Sequence, residues 1–262
     1  MSDAKNPAPI PAATIVIVRD SANGMEVFMV KRHHQIDFVA GALVFPGGKV
    51  AKGDLDSALG DFMDGATVLS TGMQALAAAA IREAFEESGI LFAREAGTEA
   101  LISAERLERL EHYRHGLEKG EIALMDMLRA EDLRLACDQL AHFAHWITPE
   151  NMPKRFDTHF FLAAAPSGHL GRHDGRESVD STWIAPGEAI ADRKRWNVIF
   201  PTKLNLMKLA KTESVEAALA VARAAAPVTV MPWVEKGPQG PLLRIRDDAG
   251  YDQTSALLRD DM

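Results

Sequence analysis

The stretch Arg82-Glu83-Ala84-Phe85-Glu86-Glu87-Ser88-Gly89-Ile90 decides how this chain is interpreted. In a helix, Glu83, Glu86 and Glu87 occupy positions i, i+3 and i+4, so their carboxylates share one face. Like charges at that spacing repel each other, and a cation placed among them removes the repulsion. Magnesium in particular is bound by a few carboxylates together with the phosphates of a substrate. The stretch therefore predicts a metal site for phosphate chemistry.

The residues before the acidic stretch support a helix over residues 73–88. Its apolar side is expected to pack on the core, opposite the glutamates. That side consists of Ala77, Ala78, Ile81 and Phe85. Gly89 is placed to end the helix, because glycine accepts the left-handed conformation of a C-terminal cap.

A glycine pair lies upstream, in Gly47-Gly48-Lys49-Val50, and Asp54 comes six residues after Gly48. Together with residues 82–90, this pattern resembles the Nudix box: Gly, five residues, Glu, seven residues, then Arg-Glu-aliphatic-x-Glu-Glu-x-Gly-aliphatic. The sequence departs from the box at three points. Asp54 stands in place of the first Glu, 27 residues separate it from Arg82 in place of seven, and Ala84 replaces a larger aliphatic residue.

The resemblance implies a fold and a reaction. The fold is α/β, a mixed β-sheet between helices, here with helical and loop insertions. The reaction is hydrolysis of a nucleoside diphosphate linked to another group, with Mg²⁺ or Mn²⁺ as cofactor. The resemblance makes Glu86 and Glu87 metal ligands and Glu83 either a ligand or a general base. It also assigns a backbone carbonyl ligand to Gly48, while Arg82 is placed to pair with Glu86 at i+4 and orient it.

Further segments resemble one branch of the family, the Nudix type 19 coenzyme A diphosphatases. They are residues 45–50, 82–87, 146–149 and 155–161, and a late Asp-x-Gly-Tyr element at 248–251. This resemblance implies a coenzyme A or acyl-CoA diphosphatase. The alternatives are an ADP-ribose or nucleotide-sugar diphosphatase, or a Nudix-derived sensor that binds a nucleotide without cutting it. The intact glutamates argue against the sensor.

Additional site residues are predicted outside the box. Glu177 is the candidate for a further metal ligand from a later loop, with Asp180 as the alternative. The substrate anion requires cations, and Arg32, Lys49 and Arg155 are the candidates, because arginine binds phosphate in a bidentate manner. For each cation taken alone, a solvated surface charge is the simpler interpretation.

Composition limits the class of protein. The chain has 262 residues and a formal net charge of −8, which argues against a nucleic-acid-binding protein. Its one cysteine, Cys137, excludes an intramolecular disulfide and fits a reducing compartment. We therefore expect a cytoplasmic protein with a small nucleotide substrate and no membrane or nucleic-acid partner, and a homodimer is compatible with the sequence.

Strand and helix patterns alternate, which is typical of α/β architecture. We predict one Nudix domain over residues 1–262, with an N-terminal arm at 1–12, a loop insertion at about 55–72 and a helical insertion at about 98–140. A hairpin joins strands at 14–18 and 25–30, and a late hairpin pairs residues 228–234 with 242–245.

Histidine-based metal sites receive little support from the sequence. His112 and His115 stand at i, i+3 beside glutamates, yet no third ligand is evident, and a solvated helix face is the simpler interpretation. The pairs His33-His34 and His142/His145 lack ligand spacing, so no metal site is predicted there.

Overall fold

The computed structural model describes residues 7–32, 41–175, 178–192 and 195–258. Its strands, in chain order, are β1 (Ile10–Ser21), β2 (Gly24–Arg32), β3 (Leu43–Val44), β4 (Gly47–Lys49), β5 (Met63–Asp64), β6 (Ala93–Glu95), β7 (Leu133–Ala136), β8 (Ala141–Ile147), β9 (Phe156–Ala164), β10 (Ser178–Ile184), β11 (Thr229–Val230), β12 (Trp233–Gly237), β13 (Gly240–Arg244) and β14 (Ser255–Leu257). Its α-helices are α1 (Thr71–Ser88), α2 (Ala104–Glu118), α3 (Leu124–Glu131), α4 (Pro186–Ala191), α5 (Phe200–Leu209) and α6 (Val215–Ala224).

A mixed sheet organises the molecule. Its strand order is β10-β2-β1-β9-β8-β11, and the short strands β3 and β4 pair with β2 and β1. The centre is β1, which runs antiparallel to β2 and β4 and parallel to β9. Apolar residues at 15–18 are fully buried, as expected of a strand covered on both faces. The predicted hairpin between the first two strands is confirmed, with Gly24 at φ 104° in its turn.

Helices cover the sheet on both sides. The core on one side joins α1 with Ile15, Ile17 and Phe161 of the sheet. The core on the other side joins α5 and α6 with Val16 and Leu162. Because neighbouring strand residues point to opposite faces, β1 and β9 contribute to both cores.

The two predicted insertions pack together. Short 3₁₀ helices occupy Lys52–Leu55, Ser57–Phe62 and Ala66–Val68, and β5 follows the second of them. The second insertion contains α2 and α3, as predicted. Strands β5, β7 and β6 form a separate three-stranded sheet, in which Met63 pairs with Leu135. Both insertions share the core of α1, which is compatible with the single domain that we predict.

The N-terminal arm is shorter than predicted. Strand β1 begins at Ile10, so residues 10–12 belong to the sheet and not to a loose arm. The reason is the parallel pairing with β9, which starts at the Ile10–Phe156 pair. Residues 1–6 of the predicted arm lie outside the described residues.

The late hairpin was also predicted incorrectly in part. Residues 228–234 do not form one strand, because Thr229–Val230 joins the main sheet beside β8 while Trp233–Gly237 pairs with β13. Pro232 separates the two pieces, since proline has no N–H for a strand ladder. None of the helices in the described ranges combines the length and the apolar character needed to cross a membrane.

Candidate metal centre

Helix α1 carries the acidic stretch, and its ends are set by local sequence. The Ser70 side chain accepts a hydrogen bond from the amide of Met73, which caps the N-terminus. Gly89 ends the helix in the left-handed conformation, with φ 66°. The predicted apolar side is confirmed, but burial extends around most of the helix. Glu86 and Glu87 are each only 7% exposed, so these carboxylates lie inside the protein and not on a solvated face.

The glycine pair of β4 makes room for the carboxylates. The amide of Gly47 donates to Oε2 of Glu87 at 3.0 Å. A Cβ atom on Gly48 would lie 2.4 Å from Oε1 of Glu83, closer than any real contact. The glycine pair therefore brings the backbone of β4 against two of the three glutamates, as the box pattern predicted.

Arg82 holds the cluster together. Its guanidinium donates to Oε1 of Glu83 at 2.8 Å, to Oε2 of Glu86 at 2.9 Å and to the carbonyl of Lys49 at 2.9 Å. The predicted i+4 pair with Glu86 is thus present in the structure. Burial opposes the charged guanidinium, but the carboxylates of Glu83, Asp54 and Glu86 outweigh it, and the pKa of Arg82 is raised.

Asp54, at the position where the box departs from its usual glutamate, takes part in the same network. It is 3% exposed and accepts from Nη2 of Arg82 at 3.0 Å and from the amide of Ala51 at 2.8 Å. The shorter side chain therefore reaches the arginine in spite of the long insertion. Asp54 fixes Arg82, and through it the orientation of Glu86.

The buried carboxylates repel each other, and a bound cation would relieve this repulsion. Burial raises the pKa of Glu86 to about 7, and the charge of Glu83 adds to this effect against the opposing charge of Arg82. Within the described part of the chain, Oε1 of Glu86 is buried without a hydrogen-bond partner. A buried polar atom without a partner carries an energetic cost that a ligated cation would remove.

Arg114, in the helical insertion, reaches this site without any signal in the sequence. Its guanidinium donates to the backbone carbonyl of Glu86 at 3.0 Å and to the carbonyl of Arg172 at 3.2 Å. A cation at the C-terminal end of α1 also interacts favourably with the helix dipole. The contact depends on how α2 folds back over α1, so only the tertiary structure could reveal it.

The basic side chains that were predicted to bind the substrate anion differ in their surroundings. The side chain of Lys49 is exposed beside the glycine pair. Nε of Arg32 is buried and has no hydrogen-bond partner among the described residues. Arg155 is 8% exposed and donates to the carbonyls of Thr148 and Pro7. Phosphate binding by Arg155 stays a prediction, and it requires the guanidinium to leave at least one of these carbonyls.

The predicted ligand from a later loop cannot be placed. Glu177 lies outside the described residues. The alternative, Asp180, is exposed on β10, where its carboxylate accepts from the amide of Ser181. Strand β10 forms one edge of the main sheet, beside β2.

A family model described as the NUDT19 Nudix domain matches residues 69–205, slightly more than half of the chain. The chain belongs to the Nudix family. The predicted membership is therefore confirmed, and the matched segment of this Nudix protein includes the whole acidic stretch of α1.

Two curated relatives resemble this Nudix protein. It is 24% identical over 222 residues to the acyl-coenzyme A diphosphatase NUDT19 of Xenopus laevis. This alignment covers 70% of the chain and 58% of the relative. It is 29% identical over 181 residues to the putative nudix hydrolase 7 of Caenorhabditis elegans. This alignment covers 68% of the chain and 52% of the relative. The chain thus spans little more than half the length of these relatives.

A solved structure supports the fold. The crystal structure of a NUDIX hydrolase from Alicyclobacillus acidocaldarius is similar with a TM-score of 0.68 and 27% identity, covering 84% of this chain and 97% of that one. The predicted Nudix fold, a mixed sheet between helices, is confirmed.

Proposed function

We propose that this protein is a metal-dependent diphosphatase that hydrolyses coenzyme A or acyl-CoA at its diphosphate linkage. The observation that carries the proposal is the buried carboxylate cluster, in which Oε1 of Glu86 has no partner among the described residues and Gly48 leaves space for Glu83. The name of the similar Xenopus laevis protein, an acyl-coenzyme A diphosphatase, supports the substrate class.

The residues that would hold Mg²⁺ or Mn²⁺ are Glu83, Glu86 and Glu87, with Gly48 and Glu177 as further candidates. When bound, such an ion neutralises phosphate oxygens and lowers the pKa of an attacking water. Arg82 keeps Glu83 and Glu86 in place through two charged hydrogen bonds. Glu83 serves either as a ligand or as a general base, and Lys49 and Arg32 offer positive charge to the substrate.

Burial contributes to the proposed chemistry. The side chains of Glu86 and Glu87 are buried, and in buried surroundings each charged interaction is stronger than at the surface. Arg82 is bound by Asp54 and by the carbonyl of Lys49, so the loop before the helix and the helix itself are fixed relative to each other. This arrangement prepares the ligands before a cation arrives, which limits the reorganisation needed on binding.

One hydrolysis panel tests the substrate class. The purified protein, with excess magnesium or manganese, is offered coenzyme A, acyl-CoAs, ADP-ribose and NADH. We expect kcat/KM to be highest for coenzyme A or an acyl-CoA, with 3′,5′-ADP and a phosphopantetheine as products. A preference for ADP-ribose would support the alternative diphosphatase, and no hydrolysis of any compound would support a nucleotide sensor.

The same assay tests the proposed ligands. Glu86→Gln and Glu87→Gln keep the side-chain volume and remove the charge, so turnover should fall by about 100-fold or more. Glu216 is exposed on α6, at the other side of the sheet, so Glu216→Gln is the control and should retain turnover. Chelation by EDTA should abolish activity, and magnesium or manganese should restore it. Activity that persists after chelation would contradict metal dependence.

A further inference from the structure

A second group of metal-ligating side chains lies on β8 and β9, away from the glutamates. Nε2 of His145 lies 2.5 Å from Oδ1 of Asp157, and Nε2 of His159 lies 3.8 Å from the same oxygen. The three ligand atoms all lie within 4.8 Å of one another. Bonds of 2.0–2.2 Å to a four-coordinate zinc ion place two ligand atoms about 3.3 Å apart. The observed spacings lie on either side of this value, so small side-chain rotations suffice.

The other ring nitrogens are held by neighbouring side chains. Nδ1 of His145 lies 2.8 Å from the hydroxyl of Thr229, and Nδ1 of His159 lies 3.0 Å from Nε2 of His142. In the metal-free protein, Nε2–H of His145 donates to Oδ1 of Asp157. If a metal ion takes the place of this proton, the ring proton moves to Nδ1 and donates to Thr229, and His159 donates its Nδ1–H to His142 in the same way. Metal-binding histidines in proteins almost always donate their second ring N–H in this way.

The cluster joins one carboxylate with two imidazoles, and all three side chains are partly buried between the strands. The rings of His145 and His159 stack with their centroids 3.9 Å apart, which fixes the ligands relative to each other.

We propose that His145, Asp157 and His159 form a second metal site in this protein, which binds a transition-metal dication of the zinc class. Two imidazoles and one carboxylate favour zinc, cobalt or nickel over magnesium, which prefers oxygen ligands. His142 and Thr229 act as positioning residues. Three protein ligands leave at least one coordination position for water or a substrate oxygen.

The site lies on the same sheet face as the glutamates but is separate from them. Gly48 pairs with Ala13, Ala13 with His159, and His159 with His145. Cross-strand partners share a face, so these residues form one row across the sheet. Gly48 lies two strand spacings, about 10 Å, from His159 and three, about 14 Å, from His145. The two proposed sets of ligands have no residue in common.

Cobalt is a suitable probe, because its visible absorption is strong in four-coordinate sites and weak in octahedral sites of oxygen ligands. The metal-free protein of 262 residues is titrated with Co²⁺ in excess magnesium, and Zn²⁺ is then added. We expect one strong site with an absorption band that zinc abolishes. His145→Ala and His159→Ala should remove the band, and Thr229→Val should weaken cobalt binding about tenfold.

Matched variants make the assignment specific. His115→Ala, on α2 beside Glu118, and Glu87→Gln, at the glutamate site, should both keep the cobalt band. If an alanine variant loses its cooperative melting transition, Asp157→Asn and His145→Gln, which preserve side-chain volume, replace it. The proposal is overturned if no band appears, if the band survives the loss of His145 or His159, or if Glu87→Gln removes it.

Discussion

The glutamate site of α1 and the histidine site of β8 and β9 share one face of the sheet but are built in different ways. The three glutamates lie within five consecutive residues, and helical periodicity alone places them together. The histidine site combines two paired strands with Thr229 from a third. One site is therefore encoded locally, whereas the other depends on which strands become neighbours.

A bulge explains why the histidine site has no sequence signal. The register between β8 and β9 shifts between His142 and Ala144. Without the shift, residues three positions apart on a strand would point to opposite faces. With it, the rings of His142 and His145 lie beside His159 on the same face. The interpretation that His142 and His145 lack ligand spacing considered the linear spacing only.

The two regions also differ in charge. At the glutamate site, Arg82 neutralises part of a cluster of buried carboxylates. At the histidine site, one carboxylate lies among imidazole rings. Hard cations suit the first set of donors and softer dications suit the second. We therefore expect a substitution at one site to leave metal binding at the other site unchanged.

Gly48→Ala is expected to show the largest difference between the two sites, because it should lower turnover and leave cobalt binding unchanged. The new Cβ would overlap the carboxylate of Glu83, the mobile end of a side chain, so the ligand must move while the fold persists. A displacement of about 1 Å can reduce turnover by about 100-fold. Cobalt affinity at the histidine site should not change. Gly187→Ala is the control, because its Cβ would enter open space. Equal loss of turnover in both variants would remove the role given to Gly48.

A smaller effect is expected from Asp54→Asn. This change weakens the bonds to Arg82 but leaves the bonds from Arg82 to Glu83 and Glu86. Removing an interaction that positions a ligand typically costs 10- to 100-fold, and we expect about tenfold in turnover. The exposed Asp61 lies in the same insertion, and Asp61→Asn serves as the control. Unchanged turnover in Asp54→Asn would show that Arg82 positions Glu86 without help from the insertion.

The finest distinction is the pH dependence of stability in the metal-free protein. Burial raises the pKa of Glu86 from 4.5 to about 7, so between these values the folded state binds an additional proton there and gains stability as the pH falls. Burial lowers the pKa of His142 and His159 from 6.5 to about 4, so between these values the folded state binds fewer protons than the unfolded chain and loses stability as the pH falls.

The two variants should therefore shift the melting temperature in opposite directions. On acidification from about pH 7 to about pH 5, the melting temperature of Glu86→Gln should fall more steeply than that of the parent protein, by a few degrees. His159→Gln should show a shallower fall or a rise. Thermal melts in chelator measure both, with His115→Gln as the control. Shifts in the same direction would contradict the opposite effects of burial on the two regions.

Much of the fold could be predicted because it depends on local patterns. The helix of the acidic stretch, the first hairpin and the helices of the second insertion follow from periodicity and turn residues. The small sheet of β5, β7 and β6 was missed, because its strands are very short and come from separate insertions. The broken strand at Pro232 was missed because the apolar pattern continues through the proline.

In the candidate site, too, local features could be predicted and tertiary contacts could not. Arg82 and Glu86 were paired correctly from their i+4 spacing, and the glycine pair was placed beside the glutamates by its resemblance to the Nudix box. The burial of the carboxylates, the contact of Arg114 with the carbonyl of Glu86 and the engagement of Arg155 by two carbonyls could not be predicted. Each of these depends on residues far apart in the chain.

The amino-acid sequence by itself determined the helix, its row of carboxylates and the glycine pair, because helical periodicity and the conformational freedom of glycine act over a few residues. The tertiary structure alone decided how deeply those carboxylates are buried, that Arg114 reaches the backbone carbonyl of Glu86 and which histidines meet on the sheet. Those features depend on strand pairing, on a register shift and on the packing of insertions. They bring together side chains whose separation in the sequence carries no information about their distance in space.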